Sequence, residues 1–569
     1  MLTDNKKIIA SLINIEGESA ESIYKNIATP PDDKMGDYAL PCFPFAKKLR
    51  KSPIIIAQEL AQQINSNKVP PIASAEALNG YLNIYIDKLY YAKDLLEKII
   101  TEGREYGADD VGKGKTICID YSSINIAKPF HIGHLCTTVI GGALYRVYKK
   151  LGYNAVGINH LGDWGTQFGK LIVAFKEWGN RERLEKEGMN YLNSLYVRYH
   201  QESEKDPTLD EQARHWFKKI EENNAEAMEL FGLFKEITLI EVRKVYKRLK
   251  IKFDSYNGEA FYNDKMQPVL DELAEKKLLV ESDGAKVVDL SEYNMPPCLL
   301  VKADGATLYA TRDLAAAFYR KKRYDFYKCL YVVAYQQNLH FQQFFKVLEL
   351  MGKDWNMYHV AFGMVSLEDG AMSTRKGKVV LLEDALNRAV EQSLAIITEK
   401  SPNLKDKQKI AEQVGVGAVI FYALYNNRIK DIVFSYDKVL NFDGETGPYV
   451  QYTNARCNSV LKKAAFSSLM KEDIQADFEA INNAEGLKLI TLLEEFPKVL
   501  ADVTEKYEPC YISRYLVSLC QAFNRFYYGH RISGIDKPAR KARAMLVSCV
   551  HTVIEEGLRL LGISAPKQM

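Results

Sequence analysis

Long apolar runs are missing from this 569-residue sequence. No stretch approaches the roughly 20 apolar residues that cross a bilayer, so no transmembrane helix is expected. The opening residues Met1-Leu2-Thr3-Asp4-Asn5-Lys6-Lys7 lack the apolar core and small-residue cleavage site of a secretory signal, and a cytoplasmic location is the expectation. Cysteine is sparse and scattered, nine residues with no Cys-x-x-Cys pair. That argues against a zinc site and, in a cytosolic chain, against a disulfide framework. Neither sign of charge dominates: 76 basic residues stand against 73 acidic ones, net +3, so any nucleic-acid surface has to be a local patch. There is no internal repeat or low-complexity segment, and no Ser-His-Asp or Cys-His constellation suggests a covalent nucleophile.

What is present is an ordinary globular composition, 47% hydrophobic and 26% charged, in a chain long enough for about three to four domains. Residues 1–112 read as an α+β unit, with a helical stretch from Lys7 to Asn14 and a basic helix from Phe45 to Gln63. Asn79-Gly80-Tyr81-Leu82-Asn83-Ile84-Tyr85-Ile86 alternates as a strand. Lys47, Lys48, Arg50 and Lys51 by themselves read as a solvated basic face. Residues 113–380 alternate strand and helix, interrupted over about 181–250 by a charged helical insertion. Trp216, Phe217, Met228, Phe231 and Phe234 are its expected buried positions. Residues 381–569 show almost no β signal and read as a helical bundle, with Leu516, Leu519, Phe523 and Phe526 at core-facing spacing.

One stretch stands out. The strand-like Thr116-Ile117-Cys118-Ile119-Asp120-Tyr121 leads to Asn125-Ile126-Ala127-Lys128-Pro129-Phe130-His131-Ile132-Gly133-His134-Leu135. Ile132, Leu135, Val139, Ile140, Ala143, Leu144 and Val147 then share one face of a helix, and Pro129 suits its entrance. Where a parallel strand turns into a helix, free backbone N–H groups and a positive dipole end favour phosphates. Imidazoles there can donate to phosphate oxygens, and Gly133 lets a flat purine come close to the backbone. Alone, the tetrad fits ATP chemistry without a Walker loop, or two histidines at an ordinary helix start.

From Asp120 to Gly169, Tyr-Ser-Ser-Ile-Asn-Ile-Ala-Lys-Pro-Phe-His-Ile-Gly-His-Leu followed by Asn159-His160-Leu161-Gly162-Asp163-Trp164-Gly165-Thr166-Gln167-Phe168-Gly169 closely resembles the class I arginyl-tRNA synthetases of bacterial type. The resemblance extends over essentially the whole chain. It implies a multidomain α/β fold: an N-terminal α+β appended domain that touches tRNA, with Lys47, Lys48, Arg50 and Lys51 as phosphate contacts and Tyr81 or Phe45 as stacking surfaces, a Rossmann-like catalytic domain with a helical insertion, and a C-terminal all-α anticodon-binding bundle. It implies an aminoacyl-tRNA ligase that takes L-arginine, ATP with substrate-bound Mg2+ and arginine tRNA, uses no zinc and works as a monomer.

That chemistry is attack by an amino-acid carboxylate on the α-phosphate of ATP, which needs in-line positioning and neutralised phosphate charge. His131, Gly133 and His134 are the expected phosphate and ribose contacts. Ala371-Met372-Ser373-Thr374-Arg375-Lys376-Gly377 occupies the place of the second class I signature, Lys-Met-Ser-Lys-Ser, but both signature lysines are replaced. Met372 and Ser373 would still meet ATP, and Lys128, Arg375 or Lys376 would supply the cation. Arginine's guanidinium, planar and always charged, asks for a carboxylate and further acceptors in fixed geometry. Tyr309 and Asp313, four apart, are neighbours if a helix starts there, although Asp313 also fits a plain helix-dipole role. Gln337 follows a buried-looking strand. The resemblance implies that Tyr309, Asp313 and Gln337 hold the amino acid, with Ser123, Asn125 and His134 at its ammonium and carboxylate end. Phe442-Asp443-Gly444-Glu445-Thr446-Gly447-Pro448-Tyr449-Val450-Gln451-Tyr452 matches the family again, and Tyr449, Tyr452, Asn454 and Arg456 are candidates for stacking on and bonding tRNA bases, or for core packing. The sequence departs from the family pattern at Ile124, Cys136, Gly142, Ala260 and Ala334. A synthetase-like protein that holds tRNA without activating arginine is the rival reading.

Overall fold

An unbroken apolar strand belongs in a sheet covered on both faces, and Thr116–Asp120 (β1) is one, with Ile117, Cys118 and Ile119 fully buried. The computed structural model describes residues 5–30, 32, 35–128, 130–367, 380–441 and 444–569. β1 pairs in parallel with Asn154–Ile158 (β2) on one side and Lys328–Tyr331 (β3) on the other, and Met357–His359 (β4) completes the order β4-β3-β1-β2. Asp120 stands level with Ile158 and Tyr331 at the C-terminal ends. From β1 the chain goes to β2 on one side and later to β3 on the other, and such a parting of connections leaves a crevice beyond the strand ends.

The helix after β1 starts later than the sequence pattern suggests. A 3-10 turn, Ile132–His134, comes first, and the α-helix runs over Leu135–Lys150 (α1). Pro129, expected at the entrance, lies outside the described residues. All seven apolar residues assigned to the inner face are buried. Close packing is possible because Gly141 has no side chain: a Cβ there would sit 2.2 Å from the Tyr121 ring. Tyr309–Tyr324 (α3) and Asn338–Leu350 (α4) flank β3.

The insertion is four helices, Arg181–Glu187, Met189–Ser203, Thr208–Glu221 and Ala225–Arg248 (α2). Phe231 and Phe234 are buried as expected, but Met228 is 36% exposed and Trp216 and Phe217 are half-buried. Trp216 lies at the surface between two cations, Lys176 Nζ at 4.9 Å and Lys219 Nζ at 4.1 Å from its ring. Cys298–Val301 does not join the parallel sheet. It is the third strand of an antiparallel sheet with Leu279–Ser282 and Ala285–Val288.

The C-terminal helices include Lys407–Tyr425, Gly447–Lys463 (α5), Ala484–Lys506, Cys510–Gly529 and Lys537–Leu561, in the region expected to be helical. One strand was not expected there: Ile432–Phe434 pairs in parallel with Val365–Leu367, a three-residue ladder too short to show alternation. The chain divides into two compact units, one of residues 1–106, 457–495 and 521–553, the other of residues 107–456, 496–520 and 554–569. In the first unit an antiparallel sheet of Tyr38–Pro41, Tyr81–Ile86 and Ile72–Leu78 packs on Pro53–Ser66. Phe45 is buried in that core and offers no stacking surface, whereas Tyr81 is exposed with Phe43 edge-on at 5.3 Å. Lys48 is paired with Glu18 and Lys51 with Glu59, so two of the four basic residues already face a carboxylate.

Candidate active site

Beyond the ends of β1, β2 and β3 lies a cavity of about 340 Å3. Ser123 and Asn125 reach it from the turn after β1, His160 and Gly162 from the turn after β2, and Val333 and Gln337 from the segment after β3. Tyr309 and Asp313 come from the first turn of α3, His340 and Phe341 from α4. Five of the six residues expected around the amino acid therefore meet on one cavity. His134 does not line it. The turn after β1 is strained, with Ser122, Ser123 and Ala127 at φ 69°, 39° and 60°. Side chains hold it: Ser123 Oγ donates to Asp120 Oδ1 at 2.6 Å, Thr137 Oγ1 accepts from the Ser122 N–H, and Thr238 Oγ1 from the Ala127 N–H. Gly162 leaves room for Asn125, whose Oδ1 lies 2.3 Å from where a Cβ would be.

The cavity's charge is mostly carboxylate. His340 Nε2 donates to Asp313 Oδ2 at 2.7 Å, and His160 Nε2 is 4.0 Å from Asp313 Oδ1. Burial pushes the Asp313 carboxyl up, but the His340 hydrogen bond, with the electrostatic pull of His340, His160 and Arg320, outweighs it and leaves it below its ordinary value. A second carboxyl, Glu259, lines the same cavity and was not singled out from the sequence. Burial pushes Glu259 up to about 7, with Asp313 and Asp163 adding to the rise and Arg312 and Lys128 opposing it. Its loop is anchored by Asp163, which is fully buried, accepts from the Ala260 N–H at 2.9 Å and pairs with Lys235 at 2.6 Å. The only sequence signal for Glu259 is the Gly258-Glu259 pair itself, since Gly258 must pass within 2.4 Å of Asp163 Oδ1 at the Cβ position.

The two histidine rings lie against each other at a tilt of 39°, centroids 4.0 Å apart, at the entry to α1. His131 is the N-cap: its Nδ1 accepts from the Gly133 N–H at 3.1 Å. The His131 N–H points at His134 Nδ1, 3.3 Å away, although the His131 carbonyl oxygen is equally distant from that nitrogen. An Nδ1 that accepts leaves the proton on Nε2, so the His131 ring presents an Nε2–H. Burial lowers the pKa of His131; burial, reinforced by His131 and Lys128, lowers that of His134 to about 3. Both are neutral donors at pH 7. Of the departures from the family pattern, Cys136 is buried on α1, and burial pushes its thiol up to about 12, which makes it inert packing. Gly142 has Ile251 Cδ1 2.3 Å from its Cβ position, so Ile251 fills the space a side chain would take.

Lys128 lines a different cavity, of about 350 Å3, together with Phe130, Glu241 and Leu381. Met372, Ser373, Arg375 and Lys376 lie outside the described residues. The chain on their C-terminal side is laced to the histidine turn: Ile132 N donates to Val380 O at 3.1 Å and Leu382 N to Phe130 O at 2.9 Å. On α5, Tyr452 is 42% exposed and carries the Arg456 guanidinium 4.9 Å over its ring, with Tyr449 half-buried one turn earlier. Asn454 corrects the expectation of a base contact. It is 1% exposed and its Nδ2 donates inward to Pro566 O at 3.4 Å. Among the described residues no group of three or more His, Cys, Asp or Glu side chains could hold a metal ion, and no helix is long and apolar enough to cross a membrane.

Comparison with known proteins bears on this geometry. The family model of tRNA synthetases class I (R), catalytic domain, matches residues 95–436, the arginyl tRNA synthetase N terminal domain matches 4–86, and the DALR anticodon binding domain matches 450–569. An arginine–tRNA ligase of Alkaliphilus metalliredigens is 49% identical over 100% of both chains. One of Clostridioides difficile is 51% identical over 98% of this chain and 97% of its own. Among solved structures, Thermus thermophilus arginyl-tRNA synthetase covers both chains fully with a TM-score of 0.81 at 25% identity. The Plasmodium falciparum arginyl-tRNA synthetase has a TM-score of 0.79 at 24% identity, a likeness of fold over 100% of this chain and 99% of that one.

Proposed function

The chain belongs to the class I arginyl-tRNA synthetases, and from that premise we propose how its groups divide the work. The reaction is ATP-dependent activation of L-arginine to arginyl-adenylate, then transfer to the 3′-terminal ribose of arginine tRNA, releasing pyrophosphate and AMP. Asp313 and Glu259 take the guanidinium, with Tyr309 and Gln337 shaping its slot. Ser123 and Asn125 hold the ammonium and carboxylate end in the cavity, and His134 meets that end from the histidine turn, outside the cavity lining. That orientation directs the carboxylate toward the histidine turn, where the α-phosphate of ATP has to lie.

In the first step a carboxylate oxygen forms a bond to the α-phosphorus while the α–β phosphoanhydride bond breaks and pyrophosphate leaves. In the second, a ribose hydroxyl attacks the carbonyl carbon, its proton is lost and AMP leaves. Neither step needs a protein nucleophile. The ring N–H groups of His131 and His134 neutralise charge on the phosphate oxygens as donors rather than as cations. Gly133, Met372 and Ser373 contact ATP, and Lys128 with Arg375 and Lys376 supplies positive charge for the triphosphate. Mg2+ arrives on the ATP phosphates, which with water suit its oxygen preference. Residues 1–112 and the exposed face of α5, with Tyr449, Tyr452 and Arg456, meet tRNA, while 113–380 carry the chemistry and 381–569 the anticodon-binding helices. The protein works in the cytoplasm as a monomer, a point that sedimentation of the free chain would test.

The observation that supports this reading most is the meeting of Asp313, Glu259, Tyr309, Gln337, Ser123 and Asn125 on one cavity at the strand ends. The test is arginine-dependent exchange of pyrophosphate into ATP, with and without arginine tRNA. Exchange with arginine and not with lysine, stronger with tRNA present, is the expected result. Retention of tRNA with no exchange under either condition would favour the non-activating rival instead.

A further inference from the structure

Seven residues along α3 from Asp313, on the same helix face, sits Arg320, 1% exposed and outside the lining of the cavity. Its Nη2 donates to Asp120 Oδ2 at 2.7 Å and lies 3.3 Å from His160 Nδ1. Arginine has no acceptor, so His160 Nδ1 must accept, which fixes the proton on Nε2, the nitrogen that faces Asp313. The other oxygen of Asp120 holds the Ser123 hydroxyl on its left-handed backbone. One guanidinium thus reaches both ends of the cavity through two residues that line it.

A structural role alone explains this poorly. Replacing a buried ion pair by apolar residues is commonly neutral or stabilising, so holding α3 against β1 does not require one. Arg320 Cζ also lies 5.3 Å from the ring centroid of Tyr331, so the guanidinium touches a third residue that lines the cavity.

We propose that Arg320 is a positioning residue for the amino-acid pocket, setting the His160 tautomer that faces Asp313 and, through Asp120, the placement of Ser123. The proposal rests on the reading that this cavity takes arginine. A substrate whose two cationic ends are some carbons apart is held in line only if both ends of its site are fixed together. Arg320 supplies that common reference without touching the substrate.

The test uses the full-length chain with arginine tRNA and measures KM for arginine, KM for ATP and kcat separately. Arg320→Lys keeps a positive charge for Asp120 but ends one bond short of the Nη2 that also reaches His160. It should raise KM for arginine about tenfold and leave KM for ATP within about twofold. His160→Phe keeps a ring against Tyr262, with which His160 stacks at 5.5 Å, and should raise KM for arginine by a similar factor. The double variant should be no worse than the poorer single one, because both break the same connection. Multiplying effects, or an unchanged arginine KM in either single variant, would overturn the proposal. So would equal changes in both KM values, as a purely structural role predicts. Should Arg320→Lys fail to fold, the KM split of His160→Phe decides alone. Asp313→Asn separates the two levels: no rise in arginine KM there refutes the pocket assignment itself, whereas a rise there with none in Arg320→Lys and His160→Phe refutes only the positioning role.

Discussion

At the end of the parallel sheet, residues from several distant stretches meet on one cavity, while along α5 four residues from a single short stretch part company. Ser123, Glu259, Asp313 and Gln337 are brought together because strand ends and helix starts at a switch point face one crevice whatever their spacing in sequence. On α5, Tyr449, Tyr452 and Arg456 fall at i, i+3 and i+7 and share a face, whereas Asn454 at i+5 turns inward. The lesson is that a functional constellation is built differently in the two places. At the sheet end, topology gathers the groups and each has a distinct partner. On the helix, rotation alone decides which side chains a ligand can reach. Removing one group should therefore cost much more in the first place than in the second.

The largest effect should follow from Asp313→Asn. An amide has no charge to offer a guanidinium, and His340 Nε2–H would face a neutral group. Losing one partner of a buried charge-assisted pair costs on the order of 3–5 kcal/mol, so kcat/KM for arginine should fall about 1,000-fold while KM for ATP changes little. Equal damage to both substrates would erase the contrast between the gathered site and its surroundings. His134→Ala comes next. Removing one preorganised donor to phosphate should lower kcat for pyrophosphate exchange about 100-fold with the fold intact, as read by thermal unfolding and single-turnover adenylate formation. Normal exchange in that variant would remove the histidine turn from the chemistry.

How much of this was legible beforehand differs in the same way. The buried face of α1 could be read because periodicity is local, whereas the roles of the histidine tetrad and of Tyr309, Asp313 and Gln337 came from resemblance to the family, and the structure brings those last three to one cavity. Glu259 could not, since its nearness to Asp313 depends on Asp163 anchoring a loop almost a hundred residues downstream. Arg320 is visible in sequence only as a basic residue two helical turns after Asp313, and nothing local marks it as buried. The strand Ile432–Phe434 was missed because its partner lies some sixty residues earlier. Asn454 was a different kind of miss: the 3.6 period that placed its neighbours outward would have placed it inward.

Glu259 also gives the site a pH response. A carboxyl near 7 is half-protonated at neutral pH in the free site. A cationic substrate favours the ionised form, so binding expels the proton and affinity grows as pH rises. KM for arginine should fall about tenfold between pH 6 and pH 8 and level off above that. His134, lowered to about 3, adds nothing in this window, and burial moves the pKa of His131 downward, away from its upper part. Glu259→Gln should flatten the profile at a raised KM. A profile that keeps its slope in that variant would assign the proton to another group.

The smallest effects belong to α5, and there the contrast is between two neighbours on one helix. Tyr452 is exposed beside Arg456 and presents a flat ring to solvent, the geometry on which a base stacks. A stacked base is worth about 1–3 kcal/mol, so Tyr452→Ala should weaken tRNA binding several-fold, with arginine and ATP constants unchanged. Asn454→Ala removes a buried amide that donates to Pro566 O and cannot reach RNA. It should cost about 1 kcal/mol of stability and leave tRNA affinity as it was. Filter binding of arginine tRNA and thermal unfolding of both variants would settle the pair. If Asn454→Ala weakened tRNA binding as much as Tyr452→Ala without loss of stability, the helix would have to turn its inner face outward when tRNA binds, and rotation would no longer be what selects the contacts.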